Sequence, residues 1–213
     1  MELKTQVNHK KVFNTIGLAL FILVVVRKIM EFLYFKVLGL IDVNLLDKPW
    51  VPFVKNIVCL YLIAFPLFLL IMKNLPDGEK RESKKLSIGT IIKLCLILHA
   101  VMAIFLMLGG SIGAVLEVLK GSKVTLPNTE LHQNNSLIWT LIFGGILAPI
   151  MEEVIFRKVL LDKIRPYGDK IAILITALLF GIFHGNLAQL IGATAGGLIY
   201  GYVTLKTGTI KYS

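Results

Sequence analysis

Residues 88–119 read IGTIIKLCLILHAVMAIFLMLGGSIGAVLEVL, an apolar run longer than a helix in a soluble domain requires. A helix that crosses the hydrocarbon core of a bilayer needs about 20 mostly apolar residues. We expect this helix to bend or end at Gly109-Gly110, and we expect a turn at His184–Asn186 between the last two spans. The sequence therefore predicts an all-α, polytopic transmembrane helical bundle of about six spanning helices. The other five segments are Val12–Val26, which an extension past Val26 can lengthen, Val51–Met72, Leu137–Leu161, Lys170–Leu187 and Ala188–Leu205.

The composition of the 213-residue chain excludes several classes of protein. Apolar residues make up 56% of the chain, charged residues make up 17%, and the mean hydropathy is +0.78. Soluble domains have roughly 45–50% apolar and about 25% charged residues, so a soluble globular enzyme and a disordered chain are both excluded. The two cysteines, Cys59 and Cys95, sit inside apolar runs, which indicates free thiols rather than a disulfide scaffold.

The net charge of +10 is distributed between the apolar runs. This placement indicates contact with membrane lipid headgroups and gives no nucleic-acid partner. Of the 23 Lys and Arg residues, 14 fall on one side of the predicted spans and 6 on the other. In membrane proteins the side with more Lys and Arg residues is cytoplasmic. The N-terminus lies on the side with 14, so the sequence predicts a cytoplasmic N-terminus.

Polar segments separate the predicted spans. Asn74–Ser87 and Ser122–Asn135 are predicted loops, and residues 165–169 are a predicted turn in which Asp169 caps the next helix. We divide the chain into residues 1–135, with the N-terminal helices and loops, and residues 136–213, with the polar motifs described next.

Charged residues interrupt the fourth predicted span, where residues 149–157 read PIMEEVIFR. Each charge at the bilayer centre costs roughly 2.5–3.5 kcal/mol, which favours a functional site. Glu153 and Arg157 are separated by one helical turn and can pair along one face. The alternative is that the helix ends at Pro149, which would leave Glu152 and Glu153 at the level of the headgroups.

A histidine lies in the next span, where residues 180–186 read FGIFHGN. Such a histidine can simply bond a backbone carbonyl. However, Glu152 lies sixteen residues before Gly168 and His184 lies sixteen residues after it. In an antiparallel hairpin both side chains then lie roughly 20 Å from the turn. A glutamate and a histidine at one depth form an acid/base pair of the kind that catalysis uses.

The pattern Glu152-Glu153-x-x-x-Arg157 followed by Phe180-x-x-x-His184 resembles the first two motifs of the CAAX-protease and bacteriocin-processing family of intramembrane endopeptidases. The resemblance implies hydrolysis of a peptide bond within or beside the membrane. It implies that Glu152 activates water, that His184 helps to hold that water, and that Glu153 and Arg157 orient and pair. Older descriptions of the family mention a metal, but these residues lack the His-Glu-x-x-His spacing of a zinc site, so we expect no cofactor.

The resemblance also implies partners and alternatives. The expected partners are membrane lipid and a peptide or protein substrate, either prenylated or bacteriocin-like, in a bacterial cell membrane. The family has a third motif, a histidine with an asparagine or aspartate four residues on, which is expected after residues 207–210 and is not present in this sequence. We therefore keep two alternatives open, namely a non-proteolytic member such as a bacteriocin self-immunity or scaffold protein, and a small transporter.

Overall fold

The computed structural model describes residues 9–121 and 137–213, and within these ranges the chain is helical and contains no strand. The predicted all-α fold is confirmed. All six predicted spans lie on helices, although Leu187 begins the sixth helix instead of ending the fifth. The helices are α1 (His9–Ile41), α2 (Val51–Met72), α3 (Ile88–Lys120), α4 (Leu137–Tyr167), α5 (Asp169–Phe183) and α6 (Leu187–Thr207).

Three helices in the described ranges, α2, α3 and α4, are long and apolar enough to cross a membrane. The surface of α3 shows why: large apolar side chains such as Leu96 and Met107 are 67% and 74% exposed. A contiguous apolar surface of this kind is unfavourable in water and favourable in lipid. The chain is an integral membrane protein.

The structure decides two helix ends that the sequence left open. The first helix does not stop at Val26 but continues through Arg27 and Lys28 to Ile41, because Glu31 forms ion pairs with both cations at 3.0 and 2.9 Å. The third helix does not end at Gly109-Gly110 and reaches Lys120, where Gly121 in the left-handed conformation caps it. The predicted turn at His184–Asn186 is confirmed. The predicted loop Ser122–Asn135 lies outside the described residues.

Two of the helices contain π-helical turns directly before a proline residue. In α2 the stretch Asn56–Ala64 precedes Pro66, and in α4 the stretch Thr140–Leu147 precedes Pro149. Proline cannot donate a backbone hydrogen bond and its ring crowds the carbonyl four residues earlier. The wider π-helical turn accommodates that carbonyl, so α4 continues through Pro149 and the alternative in which it ends there is wrong.

The chain forms two compact units. The first comprises residues 1–75 and 134–148, and the second comprises residues 76–133 and 149–213. In the first unit α1 packs against α2, and Lys55 of α2 lies 3.4 Å from the Glu31 carboxylate. The division of the chain between residues 135 and 136 stays a prediction.

Small residues allow close helix packing in the second unit, where α6 packs against both α3 and α5. A Cβ atom added at Gly192 would lie 2.9 Å from Leu106 of α3, and one added at Gly197 would lie 2.9 Å from the Ala177 Cα atom of α5. Glycine therefore allows these helices to approach more closely than any other residue would. The glycines of α6 thus serve helix packing.

The predicted loop Asn74–Ser87 contains no regular secondary structure. Its residues 76–87, which we call the strap, are held by contacts with the helices. The Gly78 amide donates to the Asp162 carbonyl at 3.0 Å, and the Lys84 amide donates to the Thr207 carbonyl at 2.8 Å. Arg81 forms an ion pair with Asp169. Asp169 therefore does not cap α5 as predicted, and Gly168 occupies the position before that helix.

Candidate functional site

The acidic motif lies in the second half of α4, within the second unit. Glu152 and Glu153 end an α-helical stretch, and Arg157 lies in the π-helical stretch Val154–Leu160 that follows. The Arg157 Nη1 atom is 3.4 Å from the Glu153 Oε1 atom, and the two side chains are 0% and 12% exposed. The predicted pairing of Glu153 with Arg157 is confirmed.

Aromatic rings surround the Arg157 guanidinium. Its central carbon lies 4.2 Å from the Phe180 ring centroid and 5.2 Å from the Tyr200 centroid. A desolvated cation over an aromatic face is attracted by the ring quadrupole, by about 2 kcal/mol. The sequence analysis missed Tyr200. The available signal was its position on the glycine-rich face of the last span, beside Gly197 and Gly201.

His184 follows the last residue of α5 and is held by Phe180. Its Nδ1 atom is 2.8 Å from the Phe180 carbonyl oxygen, and its ring packs edge-on against the Phe180 ring at 4.8 Å. A carbonyl oxygen only accepts hydrogen bonds, so Nδ1 donates here. In the neutral ring Nε2 then carries a lone pair that can accept a hydrogen bond.

Phe180 connects the two predicted motifs. Its ring contacts His184, lies beneath Arg157 and packs against Phe156, one turn after Glu152, with centroids 5.1 Å apart. In the ranges 9–121 and 137–213, no hydrogen bond or ion pair joins Glu152 directly to His184. The structure therefore places His184 and Phe156, which lies one turn after Glu152, in one aromatic cluster. The direct pairing of Glu152 with His184 stays a prediction.

Asn186, the amide nearest to His184 in the sequence, is engaged as a helix cap. Its Oδ1 atom accepts a hydrogen bond from the Gln189 amide at 2.8 Å, and its Nδ2 atom donates to the His184 carbonyl at 3.3 Å. The preceding Gly185 adopts a left-handed conformation with φ of +71°, which allows the turn. Asn186 thus serves the turn between α5 and α6.

The described side chains offer no cluster of metal ligands. Within the part of the chain that the structure describes, no three His, Cys, Asp or Glu residues form a group that could hold a metal ion. Cys59 and Cys95 are free thiols, as predicted.

Comparison with known proteins identifies the segment that carries these residues. Residues 134–213 match the family model described as Rce1-like, type II CAAX prenyl endopeptidase. Over these residues the chain is similar to that family. All four predicted site residues of this Rce1-like region, Glu152, Glu153, Arg157 and His184, lie inside the matched segment.

One relative among curated proteins is the "Putative membrane peptidase YdiL" of Bacillus subtilis (strain 168). It is 30% identical over 162 residues, which cover 74% of this chain and 62% of the relative. The chain therefore aligns with less than two thirds of that protein's length. No solved structure matches the chain. The Rce1-like resemblance thus rests on the sequence of the second half of the chain.

Proposed function

We propose that this protein is an intramembrane endopeptidase of the CAAX-processing type, in which Glu152 activates water for attack on a peptide bond. The observation that supports the proposal most directly is the position of Phe180, whose ring contacts both the Arg157 guanidinium and the His184 imidazole. Two motifs that are 27 residues apart from Arg157 to His184 thus meet at one side chain.

The proposed chemistry assigns a role to each residue. Glu152 takes a proton from a water molecule, the water oxygen bonds to the carbonyl carbon, and the C–N bond breaks as the amine takes the proton from Glu152. His184 accepts a hydrogen bond from that water at Nε2, because its Nδ1 atom is held by the Phe180 carbonyl. Glu153 and Arg157 are positioning residues that fix this part of α4.

The proposed substrate is a peptide or protein chain at the membrane, of the prenylated kind that the family description names or of a bacteriocin-like kind. The proposed location is a bacterial cell membrane with a cytoplasmic N-terminus. The basic residues between the spans supply the contacts to anionic headgroups that this orientation requires.

The experiment measures cleavage of a fluorogenic peptide that carries a farnesylated cysteine near its C-terminus, by the full chain purified in detergent. We expect Glu152→Gln and His184→Gln each to lower turnover by about 10²–10⁴-fold, the usual contribution of a general base. Glu82→Gln, an exposed carboxylate of the strap, is the matched control and should cleave like the unmodified chain.

Two results would overturn the proposal. The first is absence of cleavage by the folded, unmodified chain with farnesylated and unmodified peptides alike. The second is near-normal turnover of the Glu152→Gln variant, which would show that another group activates the water. Thermal unfolding of each variant separates loss of chemistry from loss of fold.

A further inference from the structure

Four charged side chains meet between α1 and α2 in the first unit. The Glu31 carboxylate accepts hydrogen bonds from Arg27 Nε at 3.0 Å and from Lys28 Nζ at 2.9 Å, both about one turn earlier on the same helix. Lys55 of α2 places its Nζ atom 3.4 Å from the same carboxylate. We call Arg27, Lys28, Glu31 and Lys55 the Glu31 cluster. None of the four takes part in the proposed hydrolysis.

The Glu31 cluster contains three cations and one carboxylate. Within the described residues, neither Lys28 nor Lys55 forms an ion pair with a second carboxylate. The Glu31 and Lys55 side chains are only 11% and 18% exposed, so little water surrounds this group of charges. Like charges repel one another more strongly where water is excluded. A further anion beside the lysines would lower that repulsion.

Lys28 makes the excess charge of the Glu31 cluster accessible from outside the helix pair. Its side chain is 69% exposed, whereas that of Arg27 is 25% exposed. An ammonium group has three N–H donors. One of those of Lys28 is directed at Glu31, so the others can bind an acceptor that approaches the outer face of α1.

The face of α1 that carries Lys28 is otherwise apolar and exposed. The residues four and seven positions before and after Lys28 share its face, because of the helical period. They are Val24, Phe21, Phe32 and Phe35, and all four are exposed. Phe21 and Val24 lie within the predicted span Val12–Val26, and Lys28 follows two residues after its end. An exposed cation at the end of an apolar face fits an amphipathic molecule with an anionic head.

We propose that the Glu31 cluster binds the phosphate of an anionic phospholipid, with Lys28 and Lys55 as the binding residues and Glu31 as the residue that positions them. The acyl chains of the lipid lie along Val24 and Phe21. A zwitterionic phospholipid carries its own cation, which competes with the lysines, so the site favours an anionic headgroup. The site lies in the first unit and is independent of the proposed peptidase function, so either can fail while the other holds.

A tryptophan placed at Val24 reports the lipid beside Lys28. Val24 is exposed and lies one helical turn before Lys28. The full chain contains two tryptophans, Trp50 and Trp139, and replacing both with phenylalanine leaves Val24→Trp as the single fluorophore. Bromine on the acyl chains of phosphatidylcholine quenches a tryptophan that the chains contact. Lipid without bromine restores the fluorescence as it takes the place of the brominated lipid beside the reporter.

The measurement compares phosphatidylglycerol with phosphatidylcholine, both without bromine, in vesicles of the brominated lipid. We expect phosphatidylglycerol to bind beside the reporter about fivefold more tightly, the usual attraction of one lysine for an anionic lipid surface. Lys28→Gln and Lys55→Gln should each reduce this preference to less than about twofold. Lys73→Gln, which removes an exposed lysine at the C-terminal end of α2, is the matched control and should preserve it.

Four results would overturn the lipid site. Equal recovery of fluorescence with the two lipids would show that the site does not select an anion. A preference that Lys28→Gln leaves unchanged would place the anion elsewhere, and Lys28 is exposed enough for this variant to fold. A preference that Lys73→Gln also removes would assign the effect to general surface charge. Loss of the preference on addition of sn-glycerol 3-phosphate would assign the cluster to soluble phosphates instead of lipid.

Discussion

Replacement of Gly197 by alanine tests the close packing of α5 against α6 on which the position of Arg157 depends. The added Cβ atom would lie 2.9 Å from the Ala177 Cα atom and 3.4 Å from the Arg157 Nη2 atom. Carbon atoms pack best at about 3.5–4.0 Å, so the two helices must separate by at least about 0.6 Å. Backbone is involved on both sides, so no side-chain rotation relieves the contact.

The expected cost of Gly197→Ala is the balance of two effects. Overpacking of a buried contact costs about 1–3 kcal/mol. Alanine in place of glycine within a helix stabilises the folded state by roughly 0.5–1 kcal/mol. We therefore expect the free energy of unfolding to fall by about 1–2 kcal/mol, which corresponds to a decrease in Tm of roughly 2–8 °C for a chain of this size.

The assay is thermal unfolding of the purified protein in one detergent, followed by tryptophan fluorescence. Gly110→Ala is the matched control, because an added Cβ atom there meets nothing within 4 Å among the described residues. The control should keep or raise Tm. A Gly197→Ala protein that is as stable as this control would refute the close approach of α5 and α6.

Three further predictions concern the ion pair, the strap and the topology. Arg157→Met leaves the Glu153 carboxylate buried without its cation, so we expect the free energy of unfolding to fall by about 3–5 kcal/mol. Adding Glu153→Gln should restore part of this free energy. A double variant that is no more stable than Arg157→Met alone would contradict the ion pair. Gly78→Val places side-chain atoms against Arg165, whose Cβ atom is only 3.1 Å from an added Cβ, so trypsin should cut the strap faster, and unchanged cutting would argue against a fixed strap. Reporters fused after residue 85 and after residue 123 should lie in opposite compartments, as the distribution of basic residues predicts, and one shared compartment would contradict the topology.

The helices could be predicted from the sequence because each depends on neighbouring residues. The lengths of the apolar runs located all six helices. The helix ends near Val26 and Gly109-Gly110 stayed open, because they depend on local interactions that a hydropathy pattern does not contain. Glu31 bridges the cations that follow Val26, and a glycine pair without competing contacts simply continues as helix.

The candidate site, too, has parts that the sequence predicts and parts that it does not. The Glu153–Arg157 pair is predictable because it follows from helical spacing on one element. The geometry around this ion pair is less predictable, because Arg157 lies in a π-helical stretch where the regular period of 100° per residue no longer holds. For Phe180, the sequence predicted only that the helices carrying Arg157 and His184 place these residues at a similar depth. It did not predict that the Phe180 ring contacts both of them.

The sequence alone determined that this is an all-helical membrane protein, which segments form its helices, and which four polar residues stand out in its second half. Composition, run length and one-turn spacing suffice for these, because each is a property of residues close together in the chain. Only the tertiary structure decided that Tyr200 lies over Arg157, that the strap joins the ends of α4 and α6, and that Lys55 of α2 meets the Glu31 carboxylate of α1. The strap meets its partners some 80 to 125 residues away, as in the bond from Arg81 to the Leu205 carbonyl across 124 positions, and contacts over such separations form only when the packing of whole helices brings them together.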